Sequence, residues 1–273
     1  MTEAGHRNAV KKVMIPATFD ESIGRASQRS STTELRVVGT PEWEAYLSEV
    51  RLGLDSRNAY AFLWVQESEE RMQHVLGSGF VVEPTFGTGL TISAEGAIHD
   101  WIGAVYLPGV TPAEIFASFN QTDNVSPGHG PAMMKTELLS RDGNKIQFAA
   151  TSEKKRALSG YAIMANYESV YSWPAPDRWW SMSSSMRMQR FAYDGPLKAR
   201  RQPAEIQTGY IRRVSCVTRA IEMERGSIIE VRAIVLGRRV PRAIAWLVIP
   251  IVRRICRNAL LTTLRQTRDV LTA

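Results

Sequence analysis

The sequence predicts an α+β protein in which an antiparallel sheet is followed by one long C-terminal helix. Three observations carry this expectation. From about Ala97 to Leu236, apolar residues recur in short segments separated by turn residues, as half-buried strands require. From Pro241 the apolar spacing becomes helical and stays so for some thirty residues. Helical patterns gather at the two ends of the chain instead of alternating with strands, which argues against a doubly wound sheet.

Residues 1–40 are polar and irregular, with RASQRSSTTE at 25–34, and read as a disordered tail. Thr40 and Pro41 open a helix as N-cap and first residue, and Trp43, Tyr46, Leu47 and Val50 follow at helical spacing. A second helix is expected over Glu67–Val75, before GSGFVVEPTFGTG breaks the pattern, so that residues 41–95 form a helical N-terminal extension. The main domain is expected at 96–273. Ile98–Leu107 reads as a strand that stops at Pro108-Gly109. Thr111 and Glu114 then make a capping box for a short helix carrying Ile115, Phe116 and Phe119.

The stretch 121–132, with Pro127, Gly128, Gly130 and Pro131, is expected to be loop. Met134–Arg141 and Lys145–Thr151 flank Asp142-Gly143, a hairpin signal. Further strands read at Gly160–Ser172, Arg178–Phe191, Tyr210–Glu222 and Ser227–Leu236, with a polar loop at 192–207. In the last helix, Pro241–Leu271, Ala245, Val248, Ile249, Val252, Cys256, Ala259, Leu260, Leu264, Val270 and Leu271 gather on one side. Arg254, Arg257, Arg265 and Arg268 gather opposite, and Pro250 is expected to bend the helix.

Composition narrows the function classes. Two cysteines, Cys216 and Cys256, lie far apart without a CxxC spacing, which disfavours a disulfide framework and a thiolate zinc site. The first twenty residues carry no apolar core of a secretory signal, and the longest apolar run, near 243–252, is about half of the ~20 residues needed to span a bilayer. A reducing, cytoplasmic location is the expectation. The net charge of +7 favours anionic surfaces, but the basic pairs are scattered and accompany no nucleic-acid-binding motif, so nucleic acid is not an expected partner.

Candidate chemistry is sparse. His99 and Asp100 are adjacent on a strand and therefore point to opposite faces, which excludes a hydrogen-bonded dyad. Either could line a cavity as a polar anchor, or each could be a satisfied structural group. His6, His74, His99 and His129 are isolated, so no metal site is expected, and no cofactor. Ser181, Ser183, Ser184 and Ser185 lack a nucleophile elbow and read as a polar strand face, while Gly77-Ser-Gly79 and Gly87-Thr-Gly89 lack the helix start and lysine of a phosphate loop.

Arg187, Arg213, Arg219 and Glu230 fall on strands expected to form a concave surface. There they would be an interstrand ion pair at the least, or a grip on a ligand's polar head. Trp101, Tyr161, Tyr167, Tyr171, Trp179 and Trp180 could line the same cavity or be plain core.

The segments GAIHDWIGAVYLPGVT (96–111), LLSRDG (138–143), SMSSSMR (181–187), LGRRVPRAIAWLVIPIV (236–252) and TLRQTR (263–268), with Arg213, Arg219 and Glu230, resemble a bacterial branch of the START-like, or Bet v 1-like, superfamily of polyketide cyclases and lipid-transfer domains. The resemblance covers about 45–273, and HDWIGAVYLPG is its most specific part. It implies a helix-grip fold, a curved antiparallel sheet around a long C-terminal helix, with a ligand cavity between them. The cavity candidates are His99, Trp101, Tyr161, Tyr167, Tyr171, Arg187, Arg213, Arg219 and Glu230. It implies a partner that is a lipid, isoprenoid or polyketide-like ring; a cyclase or dehydratase in the same cavity, and a protein that contacts anionic membranes through the basic face of its last helix, are the alternatives.

Overall fold

Nine antiparallel strands make one sheet in the order β1-β3-β9-β8-β7-β6-β5-β4, with β2 pairing beside β1 on β3. The computed structural model describes residues 41–57, 61–92, 96–120, 132–155, 159–194 and 210–273. The strands are β1 (Phe80–Pro84), β2 (Leu90–Ile92), β3 (Ala97–Pro108), β4 (Ala132–Asp142), β5 (Lys145–Lys155), β6 (Ser159–Ala175), β7 (Arg178–Asp194), β8 (Ile211–Met223) and β9 (Gly226–Gly237). The helices are α1 (Pro41–Arg57), α2 (Glu69–Leu76), α3 (Pro112–Asn120) and α4 (Arg242–Leu271), with a 3-10 turn at Trp64–Glu67.

The α+β class is as expected, with a long C-terminal helix on one face of an antiparallel sheet. The tail expected at 1–40, including the Thr40 cap, lies outside the described residues. So do the loops expected at 121–132 and 192–207, except that Ala132 begins β4 and residues 192–194 extend β7. The capping box forms: Glu114 donates its N–H to Thr111 Oγ1 at 3.3 Å, and its carboxylate accepts from the Thr111 N–H at 2.8 Å.

One expectation needs correction. The 41–95 extension is not only helical, because GSGFVVEPTFGTG holds β1 and β2, which pair with β3. β1 ends in Pro84 and is bounded by glycines, and β2 is three residues long, so neither offers the alternation that marks a strand. Pro84 is tolerated there because β1 is an edge strand that needs no donor on its outer side.

Both faces of the sheet are covered along β3, β8 and β9, which explains the nearly unbroken burial of β3 and β9. Val105, Leu107, Val214, Cys216, Ala220, Ile229, Val231, Ala233 and Val235 share a core with Val252, Cys256, Ala259, Leu260 and Leu264 of α4. Their alternates Ile98, Ile102, Ala104, Val217, Ile221, Ile228, Ile234 and Leu236 share a second core with Trp43, Leu47, Val50 and Leu54 of α1 and with Phe62, Leu63, Trp64, Val65 and Val75. Each large side chain so buried contributes about 1.5–3 kcal/mol. The N-terminal segment is thus a third layer, on the face opposite α4.

The helix α4 packs chiefly on β3, with β1 and β9 beside it. Gly103 makes the close approach possible, since a Cβ there would stand 2.9 Å from Leu264 Cδ1 and 2.8 Å from the Val81 carbonyl. Only the second half of α4 is seated this way. From Val252 onward it buries Val252, Cys256, Ala259, Leu260, Thr263, Leu264 and Thr267, whereas Ala243–Ile251 are all exposed or half-buried.

Candidate functional site

Strand alternation assigns every described candidate to one of the two faces. His99 shares its side of β3 with Trp101 and Val105, under α4, while Asp100 shares its side with Ile98 and Ile102, under the N-terminal layer. The two are separated by the sheet, as expected.

On the α4 face, His99 Nε2 lies 2.8 Å from Tyr210 Oη, and Nδ1 finds no hydrogen-bond partner among the described residues. Burial lowers the imidazole to about 4, so it is neutral near pH 7. Trp101 is buried in the same core with its indole N–H unpartnered among the described residues. Burial also raises the Tyr210 and Tyr167 hydroxyls, and pushes the Cys216 and Cys256 thiols to about 11 and about 12. These groups near neutral pH therefore supply apolar surface and neutral hydrogen-bonding atoms.

Farther along this face, β5 to β8 present a different surface. Tyr167 stacks on Phe148 with centroids 5.2 Å apart, and both cluster with Ile146, Ala150 and Ala165. Phe116 of α3 meets Tyr171, Trp173 and Trp179 edge-on at 4.9–5.3 Å, and the Trp179 indole donates to the Pro112 carbonyl at 2.8 Å. Between these aromatic groups runs a row of hydroxyls. Ser183 donates to Ser169 across the β6–β7 pair at 2.9 Å, opposite Cys216 in the β7–β8 register, with Ser181 opposite Thr218. The polar serine face foreseen in the sequence thus divides, because Ser184 turns the other way to bond Ser215 at 2.9 Å.

Arg213, Arg219 and Glu230 are not under α4, contrary to the expectation that they line a cavity there. They occupy the opposite face. Arg219 and Glu230 are register partners on β8 and β9, and both reach the N-terminal layer. Arg219 donates to the carbonyls of Phe62 and Leu54, and Glu230 accepts the Trp64 N–H at 2.6 Å. Burial raises Glu230 to about 7 against the opposing charge of Arg219, and burial lowers Arg219 to about 10.

Arg213 donates to the Ser185 and Met186 carbonyls just past Ser184–Ser215, the last pair between β7 and β8. Ser185 Oγ accepts the Val214 N–H there at 2.9 Å. The physical reason for the correction is parity: Val214, Cys216 and Ala220 of β8 face α4, so Arg213 and Arg219 cannot, and Ile229, Val231 and Ala233 of β9 face it, so Glu230 cannot. The side chains of Tyr161 and Arg187 lie outside the described residues.

Sequence reasoning missed a denser polar cluster on the same opposite face. Asp100 is fully buried (0%) and accepts from Tyr46 Oη at 2.7 Å, from Thr85 Oγ1 at 2.6 Å, and from Arg232 Nε and Nη2 at 2.9 and 2.6 Å. Burial works to lower Arg232, and the hydrogen bonds and charge of Asp100 overcome it, so its pKa rises. The available signal was Asp100 itself, a carboxylate inside an apolar strand, which needs a cation.

No family model matches the chain, and no curated protein matches it. Solved structures similar to it include a STAR-related lipid transfer protein from Xanthomonas axonopodis, at 13% identity over 67% of this chain and 98% of that one, with a TM-score of 0.40. Another is the di-domain ARO/CYC StfQ from the steffimycin biosynthetic pathway, at 10% identity over 64% of this chain and 51% of that one, with a TM-score of 0.39. Human STARD10 is similar at 12% identity over 73% and 79%, with a TM-score of 0.36. Scores this low leave the chemistry of the site to be argued from its own residues. Among the described residues, no group of three or more His, Cys, Asp or Glu could hold a metal ion, and no helix is long and apolar enough to cross a membrane.

Proposed function

We propose that this protein binds a hydrophobic or amphiphilic small molecule, such as a lipid, an isoprenoid or a polyketide-like ring, between α4 and the α4 face of β5 to β8. The observation that carries the reading is the half-seated helix. Its second half is packed on β3, whereas Val248 of the first part is only partly buried and packs against the same core as Met188 of β7 and Ile211 of β8. An apolar helix flank on the same side of the sheet as a face of aromatic rings and hydroxyls suits a molecule that is mostly hydrocarbon with a few oxygens. Tyr167, Tyr171, Ser181 and Ser183 are the floor contacts assigned to it, with His99 and Trp101 at the closed end under the seated half.

The experiment is native mass spectrometry of the purified protein before and after organic extraction, followed by titration of fatty acids, isoprenoids and aromatic polyketides into the extracted protein and into Ser181→Phe. Ser181 is half-buried and sits beside Tyr171, so a ring placed there occupies the floor. Binding that weakens by about tenfold or more in Ser181→Phe, at unchanged stability, supports the assignment; a ring-sized loss of contact is worth that much. A wild-type protein that carries nothing and binds none of the panel overturns it.

A further inference from the structure

The start of α4 is a surface built for contact rather than for packing. Ala243, Trp246, Leu247, Pro250 and Ile251 are exposed, with Trp246 at 76%, Leu247 at 52% and Ile251 at 43%. Turning 100° per residue, these five lie on the sector of the helix turned away from the buried Val252, Cys256, Ala259 and Thr263. The same outward sector becomes basic as the helix continues through Arg254, Arg257 and Arg265, and Arg238 and Arg239 precede the apolar part. Between residues 238 and 268 the chain holds eight arginines (238, 239, 242, 253, 254, 257, 265 and 268) and no acidic residue.

We propose that this apolar tip and its arginine borders dock the protein on an anionic phospholipid surface, with Trp246, Leu247 and Ile251 entering the interface and the arginines meeting phosphates. The occupant follows from the chemistry on the page. Nine residues of helix give a contact about 13 Å long, enough to lie in an interface and too short to span one. An exposed tryptophan beside leucine and isoleucine suits the boundary between headgroups and acyl chains, where an indole keeps its N–H in polar surroundings. Arginines on both sides of an apolar patch match a layer whose charged phosphates lie above its hydrocarbon. Burial lowers Arg238 and the nearby Arg212 charge lowers it further, so cations are crowded together at this end of α4.

The surface would be where a carried ligand is exchanged with a bilayer, but the docking argument rests on exposed residues and stands apart from the ligand reading. A protein that binds no small molecule in solution and still sediments with vesicles keeps the surface and loses the carrier role.

The test is co-sedimentation of the full chain with vesicles of phosphatidylcholine, pure or with a third of phosphatidylglycerol. The wild type is expected to sediment with the anionic vesicles and to be released by high salt, which shortens the reach of surface charge to about 3 Å. Trp246→Ser with Leu247→Ser is expected to weaken partitioning by about tenfold or more, since two large apolar side chains no longer enter the bilayer. Arg254→Gln with Arg257→Gln is expected to weaken binding to the anionic vesicles alone. All four side chains are exposed, and thermal midpoints close to wild type check that the variants fold. A wild type that stays in the supernatant, or a Trp246/Leu247 variant that sediments as wild type does, overturns the proposal. So does a wild-type dimer in sedimentation velocity that the same variant splits, because the patch then meets a second copy of the chain.

Discussion

Two buried titratable groups on opposite faces of the sheet should pull stability in opposite directions as the pH changes. Burial raises Glu230 from 4.5 to about 7, so between those values the folded chain keeps a proton that the unfolded chain has released. Its stabilising contribution is complete below pH 4.5 and is lost as the pH rises through 7. Burial lowers His99 from 6.5 to about 4, so there the unfolded chain takes up a proton that the folded chain refuses. That contribution is complete above pH 6.5 and is lost as the pH falls toward 4. At roughly 1.4 kcal/mol per pH unit, each displacement is worth about 3 kcal/mol, a large share of the ~5–15 kcal/mol that stabilises a typical domain.

The two windows nearly coincide, so in the wild type the slopes cancel between pH 4.5 and 6.5. Substitution should uncover them one at a time. In His99→Gln, whose amide can still bond Tyr210 but cannot titrate, stability relative to wild type should fall by about 3 kcal/mol as the pH rises from 4 to 6.5, the window of the term removed. In Glu230→Gln it should rise by a similar amount between pH 4.5 and 7. Urea unfolding at a series of pH values reads both, taken as differences from wild type so that all other carboxylates drop out. Variant curves parallel to the wild-type curve would refute the reasoning, because the two groups would then titrate alike in folded and unfolded chains.

Other outcomes follow from the same contacts. Asp100→Ala leaves Arg232, Tyr46 Oη and Thr85 Oγ1 facing an apolar gap and should lose about 3–5 kcal/mol in urea unfolding; a loss under about 1 kcal/mol would mean that water reaches them. A double-mutant cycle of His99→Gln and Asp100→Asn should give a coupling below about 0.5 kcal/mol, since the sheet separates the two side chains. Arg219→Met should reduce stability while leaving lipid titrations unchanged; weaker binding at equal stability would return Arg219 to the ligand site. Removal of residues 241–273 should make the protein insoluble by exposing the core beneath Val252, Cys256, Leu260 and Leu264, and a soluble truncation with a cooperative transition would contradict the packing of α4.

The strands from Ala97 to Gly237 and the final helix were legible because each is long and carries one strong period, so neighbouring elements could shift their ends by only a few residues. The capping box at Thr111 and the hairpin at Asp142-Gly143 were legible because their chemistry is local. β1 and β2 were not, because short edge strands draw their definition from β3, a partner that lies next in the chain but announces nothing about its edges. The opposite orientations of His99 and Asp100 needed only the two-residue period of a strand. Arg213, Arg219 and Glu230 were placed on the wrong face for a related reason: period two says which residues share a face, not which face meets which helix. Val214 and Ala220 of β8, and Ile229 and Val231 of β9, had to be seen against α4 before these three could be assigned.

That assignment changes what the buried charges are for. A sheet gripped by one helix has a solvated back, where an arginine or glutamate needs no explanation, and this reasoning makes charges on the inner side look like ligand contacts. Here α1, the 3-10 turn and α2 cover the back as well, so Arg219, Glu230, Asp100 and Arg232 are desolvated without any ligand. Their partners are consequently the groups that cover them: the carbonyls of Leu54 and Phe62, the N–H of Trp64 and the hydroxyls of Tyr46 and Thr85. Each such bond matches one point of the N-terminal segment to one point of the sheet, a register that apolar contact alone would leave free to slide. The other face, with its aromatic rings, its neutral hydroxyls and a helix seated over only half its length, keeps its charged side chains at the edge, where Arg265 and Arg268 of α4 lie over the Phe80 ring. For the proposed ligand, selectivity would therefore rest on shape and on hydroxyl geometry, with charge met only at the arginines of α4 that border this face.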